Sequence, residues 1–258
     1  MANRMAAIAF NTFREAVRDR VLYNLVFFAL LLLAAAPLVG EISAGAQRVL
    51  LINLSLSAIS IFGTVIAIFL GISLVSKEIE RRTLYPVLAR PVGRGEFLVG
   101  KYIGLGGTLL VNTAAMSLGF YAALLLMTGR LGRADANILI AIYFILLQFL
   151  VIIGLALLFS SFSSPMLSAL FAFSLFVAGT FAGDLRSFAQ SVHGPQSWLA
   201  SITSYLIPNL ASLNVITRVA HDQFISASLV GYNTLYSLLY TLATLSGAML
   251  IFSRRNLK

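Results

Sequence analysis

The chain has 258 residues, of which 59% are hydrophobic and only 10% are charged, and its mean hydropathy is +0.94. These values exclude a soluble globular domain and predict a polytopic membrane protein. The net charge of +9 would suggest nucleic-acid binding in a soluble chain, but here the basic residues cluster at the ends of apolar runs, as membrane topology signals do. No cysteine is present, which excludes disulfides and cysteine-based catalytic or metal sites.

The chain begins with a predicted interfacial helix, residues 6–20, followed by a first membrane span, residues 21–39. Phe10, Phe13 and Val17 recur at helical spacing among charged residues, which is typical of a helix lying in the membrane interface. The apolar run that follows is long enough to cross the bilayer and leads into further spans, so a cleaved secretory signal is not expected.

Five further spans are predicted at 49–76, 102–127, 138–160, 166–182 and 225–252. The second would be about 42 Å long as a helix and should protrude beyond a hydrocarbon core of about 30 Å. The third begins with Gly100, Gly104 and Gly107, small residues that allow another helix to pack closely. Several amides fall within spans, where interhelical hydrogen bonds explain them better than substrate contacts do: Asn24, Asn53, Asn112, Gln148 and Asn233.

Between the second and third spans lies a charged island, residues 77–101, which holds six of the 18 Lys and Arg. On a helix Glu78 would face Arg81 and Arg82, whereas Glu78 and Glu80 would point apart, which argues against a general acid–base pair. Pro86 should end or kink any helix there. A small apolar patch follows, made of Leu84, Val87 and Leu88. A solvated loop with weak ion pairs is an equally good interpretation of this spacing alone.

The segment Gly95 to Tyr102, GEFLVGKY, is one residue away from the phosphate-binding pattern GxxxxGK[ST]. Tyr102 cannot supply the Ser or Thr hydroxyl that holds magnesium in that motif. Glu96 and Phe97 are acidic or bulky where phosphate must approach closely, and no strand precedes them. A nucleotide site is therefore not expected.

The longest segment between spans, residues 183–224, contains an apolar stretch that is too short to cross the membrane. It runs from Trp198 to Ile207 and is broken by Pro208 and Asn209, which predicts a short re-entrant or interfacial helix with Trp198 and Tyr205 near the headgroups. Four metal-capable residues lie in this segment without ligand spacing, so no metal site is predicted: Asp184, His193, His221 and Asp222. In the last span Tyr232, Tyr236 and Tyr240 recur every four residues, a pattern more typical of packing than of a substrate path.

Basic residues are unevenly divided between the two sides of the predicted six-span arrangement. Thirteen of the 18 lie at the two termini and in the charged island. The other five are Arg48, Arg130, Arg133, Arg186 and Arg218. Because Lys and Arg accumulate in cytoplasmic loops, both termini and the island are predicted to be cytoplasmic and the Trp198 segment to face outwards.

Three segments resemble the permease subunits of type-2 ABC exporters, particularly the six-span branch that includes the copper-enzyme-maturation permeases. They are NTFREAVRDRVLY at 11–23, KEIERRTLYPVLARPVGRGEFLVGK at 77–101 and YLIPNLASLN at 205–214. In that family the first is an interfacial connecting helix, the second includes the coupling helix that docks on a separate ATPase subunit, and the third belongs to outward-facing re-entrant helices. Many relatives have Gly where this chain has Arg82, so the local backbone is expected to differ there.

The resemblance implies an all-α fold, with residues 1–258 forming one transmembrane permease domain in a bacterial cytoplasmic (inner) membrane. It assigns ATPase coupling to the island, where docking would use the apolar patch and flanking residues: Glu78, Glu80, Arg81, Arg82, Thr83, Leu84, Val87, Leu88, Arg90, Pro91 and Arg94. It assigns the outer re-entrant segment to Trp198, Tyr205, Pro208 and Asn209.

The implied partners are two copies of an ABC ATPase subunit and a second permease subunit, in a homodimer or a heterodimer, with periplasmic or membrane accessory proteins also compatible. ATP and magnesium would bind the ATPase subunit, and no cofactor, metal or nucleic acid is expected on this chain. The chain itself is then not an enzyme. Two rival functions are a secondary transporter or channel, which normally has ionisable groups in its spans, and a membrane-embedded enzyme, which needs clustered carboxylates or histidines.

Overall fold

The computed structural model describes residues 2–19, 47–80, 93–129, 132–191 and 207–254. Within these ranges the regular structure is helical throughout. The α-helices are α1 (Ala2–Asp19), α2 (Gln47–Glu80), α3 (Arg94–Thr128), α4 (Asn137–Ser160), α5 (Pro165–Thr180), α6 (Ala182–Ser191), α7 (Ile216–Ala220) and α8 (Ala227–Arg254). Short 3-10 helices at Arg133–Ala136 and Leu210–Leu213 precede α4 and α7.

Four helices in the described ranges are long and apolar enough to cross a membrane: α2, α3, α4 and α8. Helix α5 is apolar but has only 16 residues, about 24 Å, which is shorter than the hydrocarbon core of about 30 Å. The predicted first span, 21–39, lies outside the described residues. The prediction of a polytopic all-α membrane protein is therefore confirmed, with four candidate spans among the described residues.

Helix α4 lies at the centre of the bundle. It is uncharged, and 72% of its most apolar window is buried within the protein, against 39% for α3 and 33% for α8. Helices α2, α3, α5 and α8 all pack against it. Because α4 is covered on most sides, its apolar residues need no amphipathic pattern, whereas α3 and α8 leave wide apolar surfaces for lipid or other protein.

Glycines set the closest approaches inside this bundle. The Phe149 ring of α4 lies directly over Gly63 of α2, and a Cβ added to Gly71 would lie 2.7 Å from the Ala156 Cβ. On the other side of α4, a Cβ at Gly154 would lie 2.6 Å from Thr244 Oγ1 of α8. Small residues thus let α2 and α8 approach α4 from two sides, as is common between membrane helices.

The bundle has two ends, an island end and a far end. The island end is where α2 ends and α3 begins, and the far end is where α2 begins and α3 ends. Helix α1 packs at the island end, and the segment 207–226 packs at the far end.

Candidate coupling site

The charged island starts and finishes inside helices. Helix α2 continues past the predicted span end to Glu80, so that Glu78 and Glu80 lie in its last turn. Helix α3 begins at Arg94, directly after Gly93, whose backbone is extended (φ −66°, ψ 141°). The remaining predicted coupling residues lie outside the described residues: Arg81, Arg82, Thr83, Leu84, Val87, Leu88, Arg90 and Pro91.

The phosphate-loop pattern at Gly95 to Tyr102 lies entirely within α3. A phosphate-binding loop uses free backbone amides that wrap the phosphate before a helix begins. Here the helix has already begun, and from Phe97, whose N–H donates to the Gly93 carbonyl at 3.1 Å, the amides donate to carbonyls four residues earlier. The geometry therefore removes the one nucleotide-binding motif that the sequence suggested.

Helix α1 packs along the first third of α3. The buried residues of its contact face are small, namely Ala9, Thr12 and Ala16, whereas Arg14 and Glu15 are exposed. Outside that face, Phe10 is 67% and Val17 37% exposed. The helix thus contacts α3 through alanine and threonine together with Ile8 and Phe13, and it leaves Phe10 and Val17 available to lipid.

The small face of α1 fits against two glycines of α3. A Cβ added at Gly100 would lie 2.8 Å from Ile8 Cγ2 and 3.2 Å from the Met5 carbonyl oxygen. One added at Gly104 would lie 2.5 Å from the Ala9 carbonyl oxygen. The separations of 2.5 and 2.8 Å are too short for a real carbon atom, so a side chain at either position would force Ile8 or the backbone of α1 to shift. The prediction that glycines here allow close helix packing is confirmed, and α1 is the helix that approaches.

The start of α3 is also joined to the end of α8. The rings of Phe97 and Phe252 stack with centroids 6.4 Å apart, and Lys101 Nζ lies 5.2 Å from the Phe97 ring centroid. Although charged, Lys101 is only 2% exposed. Its ammonium thus lies at the distance of a cation–π contact. This basic residue of the island is therefore part of the helix packing and is not on the docking surface.

The second half of the YLIPNLASLN motif packs into the far end of the bundle. Asn209 N donates to the Tyr236 hydroxyl of α8 at 2.7 Å, and the Asn209 side chain accepts from Ser212 N at 3.3 Å. From α8, Asn233 Nδ2 donates to the Ser212 carbonyl at 3.2 Å. A Cβ at Gly179 would lie 2.6 Å from the Pro208 carbonyl, so α5 also touches this segment. Trp198 and Tyr205 lie outside the described residues.

The tyrosines at four-residue intervals on α8 do not share one environment. Tyr236 and Tyr240 have ring centroids 5.9 Å apart, and Tyr236 accepts the Asn209 bond. Tyr232 is 75% exposed. The contact of Tyr236 favours the packing interpretation over a continuous polar path.

Sequence reasoning missed an ion cluster at the far end, formed by Arg48, Asp135 and Asp222. Arg48 Nη1 lies 2.8 Å from Asp222 Oδ2, and Arg48 Nη2 lies 2.8 Å from Asp135 Oδ1. These residues come from the start of α2, the 3-10 helix before α4 and the turn after α7. Asp135 and Asp222 lie 87 and 174 positions after Arg48 in the chain, so no local pattern could have indicated the cluster.

The backbone acts differently on the two carboxylates of the ion cluster: it donates a hydrogen bond to that of Asp135, and at Asp222 it adopts an unusual conformation. Asp135 Oδ2 accepts from Gly132 N at 2.6 Å, and the Asp135 carbonyl accepts from the Tyr121 hydroxyl at 3.0 Å. Asp222 adopts a left-handed backbone conformation (φ 53°), which is uncommon for residues other than glycine but tolerated by aspartate. That conformation turns the chain at the end of α7, beside the carboxylate that meets Arg48.

Among the amides predicted to bond between helices, Gln148 does so most clearly. Its Nε2 donates to Ser60 Oγ at 3.1 Å and to Thr64 Oγ1 at 2.9 Å, which links α4 to α2 near mid-span. Asn53 and Asn112 bond within their own helices. Asn24 lies outside the described residues. The Gln148 contacts give these buried polar groups partners that lipid could not supply.

The part of the chain that the structure describes holds no group of three or more His, Asp or Glu side chains arranged to bind a metal ion. Of the metal-capable residues noted in the sequence, His221 Nδ1 lies 2.9 Å from the Thr217 carbonyl and Asp222 pairs with Arg48. His193 lies outside the described residues.

Four apolar candidate spans, packed around α4 and bordered by α1 at the island end, define a multi-pass helical membrane protein. The family model described as ABC-2 family transporter protein matches residues 6–257. The chain therefore belongs to the ABC-2 transporter family, whose members are membrane permease components that work with an ATPase subunit. No curated protein matches the sequence.

Proposed function

We propose that this chain is the transmembrane subunit of an ABC exporter and moves its substrate with energy from ATP hydrolysed on a separate ATPase subunit. The observation that carries the proposal is the family match over residues 6–257. The helical geometry of residues 95–102 supports it, because the only nucleotide-like motif of the chain is part of a span. The energy must then come from another polypeptide.

The charged island is proposed to be the coupling site. Its two ends continue into α2 and α3, helices of 34 and 35 residues, so a displacement of the island reaches both spans directly. Helix α1 and the end of α8 are attached to the start of α3 through Gly104 and Phe97. A push on the island would therefore move several packed elements together.

In the proposed docking mode Leu84, Val87 and Leu88 fill a cleft on the ATPase, since a buried apolar patch usually supplies most of the docking energy. The island charges, including Arg90 and Arg94, would orient the approach. Glu78 and Glu80 would pair with Arg81, Arg82 or basic residues of α1 and fix the island to α2. Thr83 and Pro91 would shape the loop between these parts.

The proposed assembly has six spans, made of the four candidate spans, the run 21–39 and α5 with the two residues that follow it. Two permease subunits, identical or not, would bind two ATPase subunits. The island end would face the cytoplasm of a bacterium, with the chain in its inner membrane, and the segment around Trp198, Tyr205, Pro208 and Asn209 would face outwards. The copper-enzyme-maturation permeases are the proposed neighbouring branch.

The rival functions have less support. No Asp, Glu, Lys or Arg occurs between residues 49 and 75 or between 138 and 160, whereas ion-coupled transporters and selective channels normally place such groups within their spans. A membrane enzyme would need clustered carboxylates or histidines. In the described ranges Asp135 and Asp222 are bound by Arg48. Glu78 and Glu80, at the end of α2, are two positions apart, a spacing that points them away from each other on a helix.

The test is copurification of an ATPase subunit with the tagged chain from its native membrane, followed by ATPase assays in lipid nanodiscs. We expect an ABC ATPase in the purified complex and hydrolysis that depends on it. A chain that purifies alone under mild detergent and shows no nucleotide-dependent transport would contradict the proposal.

Two substitutions separate docking from coupling. Leu84→Asp should abolish copurification of the ATPase, because it buries an unpaired charge in the docking cleft, while Leu84→Met, the matched control, should retain it. Glu80→Gln should leave the complex assembled but uncouple hydrolysis from transport. If Leu84→Asp and Glu80→Gln both behaved as wild type, the island would be an ordinary solvated loop.

A further inference from the structure

The ion cluster at the far end lies directly above a buried apolar layer. One turn into the protein from Arg48, Asp135 and Asp222, each of the three elements contributes a buried apolar side chain: Leu51, Ile138 and Val219, exposed by 1%, 0% and 1%. These residues belong to one contiguous core cluster. The far end is therefore closed by two layers, apolar below and ionic above.

The ionic layer differs from the apolar layer in how readily it can open. The side chains of Arg48 and Asp222 are 31% and 47% exposed, whereas that of Asp135 is 9% exposed. Ion pairs so close to water are weak and can be replaced by solvent at little cost. They are also directional, so Arg48 fixes the positions of three separate elements relative to one another.

No other described contact of this kind joins the same three elements. The Tyr121 hydroxyl of α3 donates to the Asp135 carbonyl. The 3-10 helix therefore stays attached to α3 when the Arg48 ion pairs break. Among the described contacts, the Asp222 carboxylate has hydrogen bonds with Arg48 and with no second residue. Release of Arg48 would thus free the turn after α7 more than the start of α4.

We propose that Arg48 is a gating residue: its ion pairs with Asp135 and Asp222 hold the far end of the bundle closed, and they break when that end opens during transport. The proposal rests on the proposed function, because an opening at the far end is required only of a chain that takes part in moving a substrate across the membrane. Repacking of interface salt bridges is an established way for helical proteins to switch between two states.

The experiment measures how fast a water-soluble maleimide modifies a single cysteine placed under the ion cluster. Ala220→Cys is suitable because Ala220 is 0% exposed and the chain has no native cysteine. In nanodiscs without nucleotide, Arg48→Ala should raise the modification rate about three- to tenfold. Arg48→Lys should raise it less, and Asp222→Asn, which removes only the more exposed partner, should have an intermediate effect.

Ala67→Cys provides the matched control, since Ala67 is also 0% exposed but lies roughly 30 Å further along α2. Its modification rate should not change in any Arg48 variant. An equal increase at both cysteines would show general loosening and overturn the proposal, as would an unchanged rate at Ala220→Cys in both Arg48→Ala and Asp222→Asn.

The role in transport is tested with Arg48 intact and the copurified ATPase present. ATP with vanadate should accelerate modification of Ala220→Cys and leave Ala67→Cys unchanged. If an ATPase copurifies and drives transport but nucleotide leaves Ala220→Cys unmodified, the gating proposal fails and the proposed function stands. If no ATPase copurifies, the proposed function and the gating role are both wrong.

Discussion

Glycine and alanine determine how closely α1 approaches α3. At Gly104 the space for a side chain is already taken by the Ala9 carbonyl and by Thr12, whose Cβ would lie 2.7 Å from an added carbon. The nearest neighbour is backbone, which cannot rotate away as a side chain can. Any larger residue must therefore displace the whole of α1.

Gly104→Ala should destabilise the protein by about 1–3 kcal/mol, as overpacking of a well-packed contact does. Gly119→Ala is the matched control in the same helix, because a Cβ at Gly119 meets nothing within 4 Å. The control should retain or slightly raise stability, since alanine is the better helix former. Thermal unfolding in detergent compares the two variants, and equal midpoints would contradict the close α1 contact.

At the scale of elements, the uncharged runs were sufficient to predict α2, α3, α4 and α8 because only a helix satisfies its own backbone in lipid. The positions of the helix ends were harder to predict from the sequence. Hydropathy falls at Lys77, yet α2 continues to Glu80, since Lys and Glu are good helix formers in water. Helix α3 likewise begins at Arg94, before the predicted start of the third span at residue 102.

The candidate site could be predicted only where it is local in the chain. The island and the PN dipeptide at 208–209 are visible as composition and as a motif. The partners of Asn209 and Arg48 are not, because they depend on how distant helices pack. Tyr236 lies 27 positions from Asn209. Its four-residue spacing from Tyr232 and Tyr240 was visible in the sequence, but the bond between its hydroxyl and Asn209 was not.

That hydroxyl attaches the far-end segment to α8 together with the bond from Asn233 to the Ser212 carbonyl. Tyr236→Phe removes the acceptor of the Asn209 N–H and should cost about 1–3 kcal/mol if the donor stays buried. Tyr232→Phe, at a ring that is 75% exposed, is the control and should be near neutral. Amide hydrogen exchange in a peptide covering 207–214 should accelerate in the first variant alone, and identical exchange in both would show that the bond is dispensable.

On the scale of the whole molecule, α2 is longer than the membrane is thick. Its 34 residues extend about 51 Å, against a hydrocarbon core of about 30 Å. Tilt alone would have to be large to hide such a length. The island end of α2 is therefore expected to project into the aqueous phase that contains the ATPase.

Cysteine labelling on intact cells tests this orientation. Gly93 and Gln223 are both exposed and lie at opposite ends of the bundle. A membrane-impermeant maleimide should modify Gln223→Cys directly and Gly93→Cys only after the cells are permeabilised, because the basic residues of the island end predict that it is cytoplasmic. The reverse pattern would invert the topology and place the proposed coupling site on the wrong side.

The close fit of α1 against Gly100 and Gly104 also constrains the order of biosynthesis. At about 5–20 residues per second, the ribosome finishes α1 on the order of 5 to 20 s before it completes the glycines of α3. During that interval α1 has no partner for its small face. Because that face consists of Ala9, Thr12 and Ala16, leaving it in water costs little apolar burial. Helix α1 is therefore synthesised before α3 but can reach its final position only after Gly100 and Gly104 of α3 have been made.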